Sequence, residues 1–128
     1  MRRLRVLVAD DDPDLRNWLR LVLGQRGMVV LEAESGVELL ERLASSGPFD
    51  LVVADVRMSW ASGLQALAMA RDAGFALPFL VITSHVDDAV RRAVAALDAP
   101  LLPKPFTVAE LLEAAGKALR QNKAAAAR

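Results

Sequence analysis

The 128-residue chain has no cysteine. That excludes disulfides, thiolate metal sites and cysteine nucleophiles, and it fits a reducing compartment, with the cytoplasm as the default expectation. Long hydrophobic runs are missing too: none approaches the ~18 residues that a membrane span needs. Met1-Arg2-Arg3-Leu4-Arg5 leads straight into a short strand pattern rather than the apolar core of a signal peptide, so neither a membrane span nor a targeting segment is expected. Nor is there an excess of either charge. Acidic and basic residues number 16 each, and no global basic field argues for direct contact with nucleic acid. What the chain does have is apolar content, 54% by residue type. At this length that suffices for one domain that buries roughly two-thirds of its unfolded surface.

Short apolar runs alternate with segments of helical periodicity. Arg5 to Ala9 reads as a buried strand, followed by Asp10-Asp11-Asp12 and by Pro13, a favoured first helical residue. Leu15, Trp18, Leu19, Val22 and Leu23 then repeat at helical spacing until Gly24 or Gly27 closes the helix. Met28 to Leu31 is a weaker strand, and Ser35 with Glu38 forms a capping-box signature ahead of Leu39, Leu40 and Leu43. Leu51 to Ala54 is a strand apolar on both faces that ends on Asp55. Residues 59 to 63 read as a loop, and the next helix, through Leu64, Leu67, Ala68 and Arg71, stops at Gly74. Phe79 to Ile82 is a fourth strand ending on Thr83-Ser84-His85, and Asp87 and Asp88 suit the N-terminus of a helix running to Leu97. Leu101-Leu102 is a short fifth strand before Pro103-Lys104-Pro105. Thr107 and Glu110 cap a last helix with Leu111, Leu112, Ala115 and Leu119 on its buried stripe, and residues 121 to 128 read as a frayed tail. Five strands alternating with five helices give, through right-handed crossovers, an α/β doubly wound parallel sheet. No second domain and no room for an output domain after Leu119 are expected.

The chemistry collects at strand ends. Asp10 and Asp11 follow the first strand, Asp55 ends the third, Thr83 the fourth and Lys104 the fifth. In an open parallel sheet these ends share the edge where ligands bind. Clustered carboxylates repel, and a hard divalent cation relieves them; Mg²⁺ fits because it takes one or two carboxylates and bridges to phosphoryl oxygens. Asp55 would then be a nucleophile toward phosphorus, with Mg²⁺ and Lys104 neutralising the transferring group and the Thr83 hydroxyl meeting one of its oxygens. Taken singly each residue has a plainer reading: a charged helix N-terminus for Asp10 to Asp12, a capping carboxylate for Asp55, turn residues for Thr83 and Ser84, a solvated charge for Lys104.

Over residues 4 to 120 the chain resembles the response-regulator receiver domains of two-component signalling. The resemblance rests on Asp10-Asp11, Asp55, Thr83 and Lys104-Pro105-Phe106, in that order and on those strand ends. It implies a CheY-like, flavodoxin-like sheet of order 2-1-3-4-5, phosphorylation of Asp55, and Mg²⁺ held by Asp10, Asp11, Asp55 and the backbone carbonyl of Arg57. It also implies a cis Lys104–Pro105 bond, with Asp12 outside the metal pair. The implied partners are a sensor histidine kinase or phosphotransfer protein and a downstream output, with the face of helix 4, strand 5 and helix 5 as the candidate homodimer contact. No turnover of free substrates is implied beyond formation and hydrolysis of the chain's own acyl phosphate.

Two departures stand out. Receivers usually have Met-Pro after the acceptor where this chain has Met58-Ser59-Trp60, and an aromatic where it has Leu101. Leu101 removes the usual aromatic partner of the Thr83 switch. Arg57 and the sole histidine, His85, flank the acceptor loops and are candidates for tuning the access of water to a phosphoryl group. Trp18 reads as core, and Arg91 and Arg92 as a solvated helix face. Two rival functions remain: a pseudo-receiver that binds partners without phosphorylation, and a haloacid-dehalogenase-type phosphohydrolase with Asp10 as nucleophile, suggested by Asp10-x-Asp12. The second has no insertion for a cap and leaves Asp55 without a role.

Overall fold

The computed structural model describes residues 2–58 and 62–126. Its strands are β1 (Arg5–Ala9), β2 (Val29–Ala33), β3 (Leu51–Asp55), β4 (Phe79–Thr83) and β5 (Leu101–Pro103). Its helices are α1 (Pro13–Gly24), α2 (Gly36–Ser45), α3 (Gly63–Asp72), α4 (Asp88–Ala96) and α5 (Val108–Ala126). All strands pair in parallel in the order β2-β1-β3-β4-β5. The order reverses between β1 and β3, so a crevice opens between their C-terminal ends.

Alternation along the pleat divides the core in two. Leu7, Ala9, Val52, Ala54, Phe79 and Val81 face α2, α3 and α4, meeting Leu39, Leu43, Ala66, Leu67, Ala70, Val94 and Leu97. Val6, Val8, Leu51, Val53, Leu80 and Ile82 face α1 and α5, meeting Leu19, Val22, Leu23, Leu111, Ala115 and Ala118. Every residue of β3 and β4 is buried, which explains why these two central strands carry apolar residues without alternation.

The helices start where local chemistry holds their free N–H groups. The Asp12 carboxylate accepts from Asp14 N–H, and Ser35 Oγ accepts from Glu38 N–H. Thr107 and Glu110 form a reciprocal capping box, as do Ser62 and Gln65. The Asp87 carboxylate caps α4 by accepting from Val90 N–H.

Two boundaries differ from the sequence reading. β2 runs from Val29 to Ala33 rather than from Met28 to Leu31. It is an edge strand, half-buried over Val29 to Glu32, and Glu32 is tolerated within it because its carboxylate meets Arg16 and Arg20 on α1. β5 includes Pro103, which an edge strand can accommodate since its outer side needs no amide donor. α5 is helical through Ala126. The Lys104–Pro105 bond is cis, and so is Gly47–Pro48. No helix among the described residues is long and apolar enough to cross a membrane.

Candidate functional site: an acidic cluster at the sheet switch point

β1 and β3 are neighbours that both end at the crevice, and each delivers an aspartate there. Asp10 is fully buried and Asp55 is 7% exposed. Exposed Asp11 completes the group: one carboxylate oxygen from each of the three lies within 4.8 Å of the others. The cation comes from β5. Lys104 N–H donates to Thr83 O at 2.7 Å, extending the β4–β5 ladder by one residue, and its side chain then reaches across to Asp10 Oδ2 at 2.8 Å and Asp55 Oδ2 at 3.3 Å. Asp10 Oδ1 accepts from Asp12 N–H at 2.9 Å. Asp12 itself caps α1 and stands outside the cluster.

Burial, and then the charge of Asp10, push the Asp55 carboxyl above the usual range, against the opposing pull of Lys104 and of a hydrogen bond from Arg57 N–H. Burial alone would lower Lys104, but its hydrogen bond to Asp10 and the charges of Asp55 and Asp10 outweigh that and raise it. Three carboxylates thus face one ammonium. The donors are all hard oxygens, and the residual charge is negative, so the group fits a small divalent cation such as Mg²⁺. Together the carboxylates and the ammonium suit a cation and a phosphoryl-type anion held side by side.

The other expected residues are arranged differently. Thr83 is 1% exposed, and its hydroxyl serves its own loop, donating to His85 O at 3.2 Å and accepting from His85 N–H at 3.1 Å. The His85 ring turns toward the α4 cap, with Nε2 3.3 Å from Asp87 Oδ2. Arg57 is exposed, and its contribution to the site is the backbone N–H just described. Leu101 is half-buried against the cluster that includes Val94 and Leu97. Trp18 is partly buried, with its ring centroid 5.8 Å from that of Phe106. Ser59 and Trp60 lie outside the described residues.

Sequence reasoning missed three supports. Gly63, the first residue of α3, packs against the Asp55 backbone: a Cβ there would stand 1.8 Å from Asp55 O. The available signal was a glycine, a poor helix former, placed just after a serine N-cap. Arg16 donates to Asp10 O at 2.7 Å. Arg71 donates to Phe75 O at 2.8 Å, Leu77 O at 2.7 Å and Leu97 O at 3.4 Å, with its guanidinium 3.7 Å from the Phe79 ring centroid. It ties the α3–β4 connection to the end of α4.

A doubly wound domain with an acidic triad and a lysine at its switch point is an architecture suited to handling phosphoryl groups. Comparison with known proteins makes the class specific: the family model for the response regulator receiver domain matches residues 6–116, and the chain belongs to that family. It is 43% identical over 123 residues to the response regulator MprA of Mycobacterium ulcerans, covering 94% of this chain and 52% of that protein. Against the Mycobacterium tuberculosis MprA the identity is 42%, with the same coverage. The chain therefore spans about half the length of the curated relatives it matches. Among solved structures, a response regulator receiver protein from Pseudomonas putida superposes with a TM-score of 0.85 at 30% identity, covering 91% of this chain and 98% of that one. The Vibrio cholerae chemotaxis protein CheY4 superposes with a TM-score of 0.83 at 26% identity, covering 92% of this chain and all of that one. The chain is thus a receiver domain of the two-component response-regulator type. Membership leaves the haloacid-dehalogenase reading without support.

Proposed function

We propose that Asp55 is the phosphoacceptor. An Asp55 carboxylate oxygen attacks the phosphorus of a partner kinase's phosphohistidine; the O–P bond forms as the N–P bond breaks, and the imidazole nitrogen leaves. The observation that carries this reading is the placement of a buried Asp55 carboxylate 3.3 Å from Lys104 Nζ at the sheet switch point, with two further carboxylates beside it. Lys104 neutralises charge on the arriving group and orients it, while burial keeps bulk water from competing for these contacts. Asp10, Asp11 and Asp55, with the Arg57 carbonyl, would hold Mg²⁺, which when bound neutralises phosphoryl oxygens. The Thr83 hydroxyl would leave its local turn with His85 to meet one of those oxygens. That movement would bias the β4–α4 loop and hence the α4–β5–α5 face, where Arg91 and Arg92 are exposed. This face is the proposed surface for an output partner or a second copy of the chain.

The proposed donor is a sensor histidine kinase or phosphotransfer protein, acting in the cytoplasm, and the output lies in whatever the receiver is joined to or docks with. Arg57 and His85 are proposed to adjust hydrolysis of the acyl phosphate. Leu101 favours a second reading for the output step only, since the acidic cluster and Lys104 are complete.

Treatment with a small acyl phosphate and Mg²⁺ is expected to add one phosphoryl group to the wild type, read by intact mass, and none to Asp55→Asn. An unchanged phosphoryl gain in Asp55→Asn overturns the assignment.

A further inference from the structure

The carbonyl of Asp10 lies just past the end of β1, and its partner is a side chain. Arg16, in the first turns of α1 and 14% exposed, donates from Nη1 to that carbonyl at 2.7 Å. Its Nε donates to Glu32 Oε1 at 3.2 Å, and its Nη2 lies 3.9 Å from Glu34 Oε2. The loop of contacts then closes on itself, because Asp10 N–H donates to Ala33 O, between those two glutamates. The Asp10 peptide is thus gripped on both sides by the end of β2, directly through Ala33 and through a guanidinium that Glu32 and Glu34 hold in place. Arg20 Nε braces the far oxygen of Glu32 at 3.4 Å but makes no contact with Asp10.

We infer that Arg16 is a positioning residue for the cation site, an inference that rests on the reading of Asp10, Asp11 and Asp55 as the Mg²⁺ ligands. The Asp10 backbone sets where both adjacent carboxylates point, and Asp10 and Asp11 are consecutive just past the strand end, where Asp10 N–H still bonds Ala33 O and the Asp10 carbonyl relies on Arg16. A planar guanidinium donates to a carbonyl and a carboxylate at once, with a second carboxylate 3.9 Å away; a lysine ammonium at the same place cannot span that fork. The paired glutamates also neutralise Arg16, so a cation stands behind the acidic cluster without repelling the metal at full strength. Groups that orient metal ligands from behind are typically worth about 10- to 100-fold in metal affinity.

The test titrates Mg²⁺ alone into the full chain by calorimetry and, separately, measures the phosphorylation rate with a small acyl phosphate at rising Mg²⁺. Arg16→Met is expected to weaken Mg²⁺ binding by roughly tenfold or more, with a phosphorylation rate that returns to within about twofold of wild type once Mg²⁺ saturates. Arg16→Lys keeps the charge and the aliphatic stem, which secures a folded variant, and is expected to lose severalfold in affinity. Arg20→Met, which removes contacts to Glu32 and to Asn17 but none to Asp10, is expected to bind Mg²⁺ as wild type does. Wild-type Mg²⁺ affinity in both Arg16 variants, beside a melting temperature that has fallen, assigns Arg16 a purely structural role and overturns the inference while leaving the Asp55 reading intact. Failure of the wild type to bind Mg²⁺ overturns both.

Discussion

Gly63→Ala is the substitution whose outcome the geometry determines most sharply. An alanine Cβ at this position would lie 1.8 Å from Asp55 O, 2.8 Å from Asp55 C and 3.3 Å from Met58 Cε. The first two are backbone atoms and cannot rotate away. Restoring an ordinary contact of about 3.4 Å requires α3 and the end of β3 to separate by about 1.6 Å. Gly63 N–H donates to Val56 O at 2.9 Å, and a shift of that size breaks the bond. Forced overpacking costs about 1–3 kcal/mol and the lost hydrogen bond about 0.5–1.5 kcal/mol. The expected loss is therefore about 2–4 kcal/mol, a large share of the ~5–15 kcal/mol that holds a domain folded.

The same displacement reaches function, because the atom struck belongs to Asp55, the proposed acceptor. A misplacement on the order of 1 Å at a reacting group can cost about 100-fold in rate. Urea denaturation and phosphorylation followed by intact mass measure the two effects. Gly116→Ala is the control: its Cβ meets only the flexible end of Arg120, 3.2 Å from Nη1, and alanine inside a helix is favoured over glycine by about 1 kcal/mol. Stability within ~0.5 kcal/mol of wild type, together with an unchanged phosphorylation rate in Gly63→Ala, would refute the close approach.

Lys104→Met removes the ammonium that shares Asp10 and Asp55 with any bound cation. It is expected to bind Mg²⁺ about tenfold more tightly in calorimetry yet to phosphorylate at least ~100-fold more slowly; weaker Mg²⁺ binding would contradict the shared-charge picture. Asp50 is held below the usual carboxylate range chiefly by its hydrogen bonds from Arg2. Its contribution to stability is therefore present above the unfolded-state pKa and lost as pH falls through the lower folded-state value, so the stability gap between wild type and Asp50→Asn should close on acidification. A gap that widens instead would reverse the sign. Arg71→Met strips donors from three carbonyls and a cation from the Phe79 ring. A loss of about 2 kcal/mol in denaturant unfolding is expected, and an unchanged midpoint would mean that the clamp carries no net energy.

The sheet and the acidic site were legible in the sequence because both depend on local patterns. A strand buried on both faces must be apolar throughout, and a charge at its end stands out, as Asp55 does after Leu51 to Ala54. Parallel topology then carries Asp10, Asp55 and Lys104 to one edge whatever lies between them. What escaped was chemistry with no local signature. Arg16, Arg71 and Gly63 act through backbone atoms of residues brought close only by folding, and a carbonyl oxygen looks the same in every residue of a sequence. The β2 boundary slipped for a related reason. Glu32 reads as the end of an apolar run until Arg16 and Arg20 are known to face it.

Leu101 marks where the sequence departed from the family pattern, and the fold narrows what that departure means. An aromatic side chain with a polar tip can signal by rotating and by exchanging a hydrogen bond; leucine has neither option. Leu101 packs into the same apolar cluster as Val94 of α4 and Leu97, its C-cap. Thr83 is bonded to His85, whose ring is joined to the Asp87 cap of α4. Withdrawal of the Thr83 hydroxyl from its turn would therefore act on the N-terminal end of α4 directly, while Arg71 holds Leu97 at the other end. In the proposed switch, a bias on the N-terminal end of α4 would reach Leu101 through the apolar cluster that it shares with Val94 and Leu97.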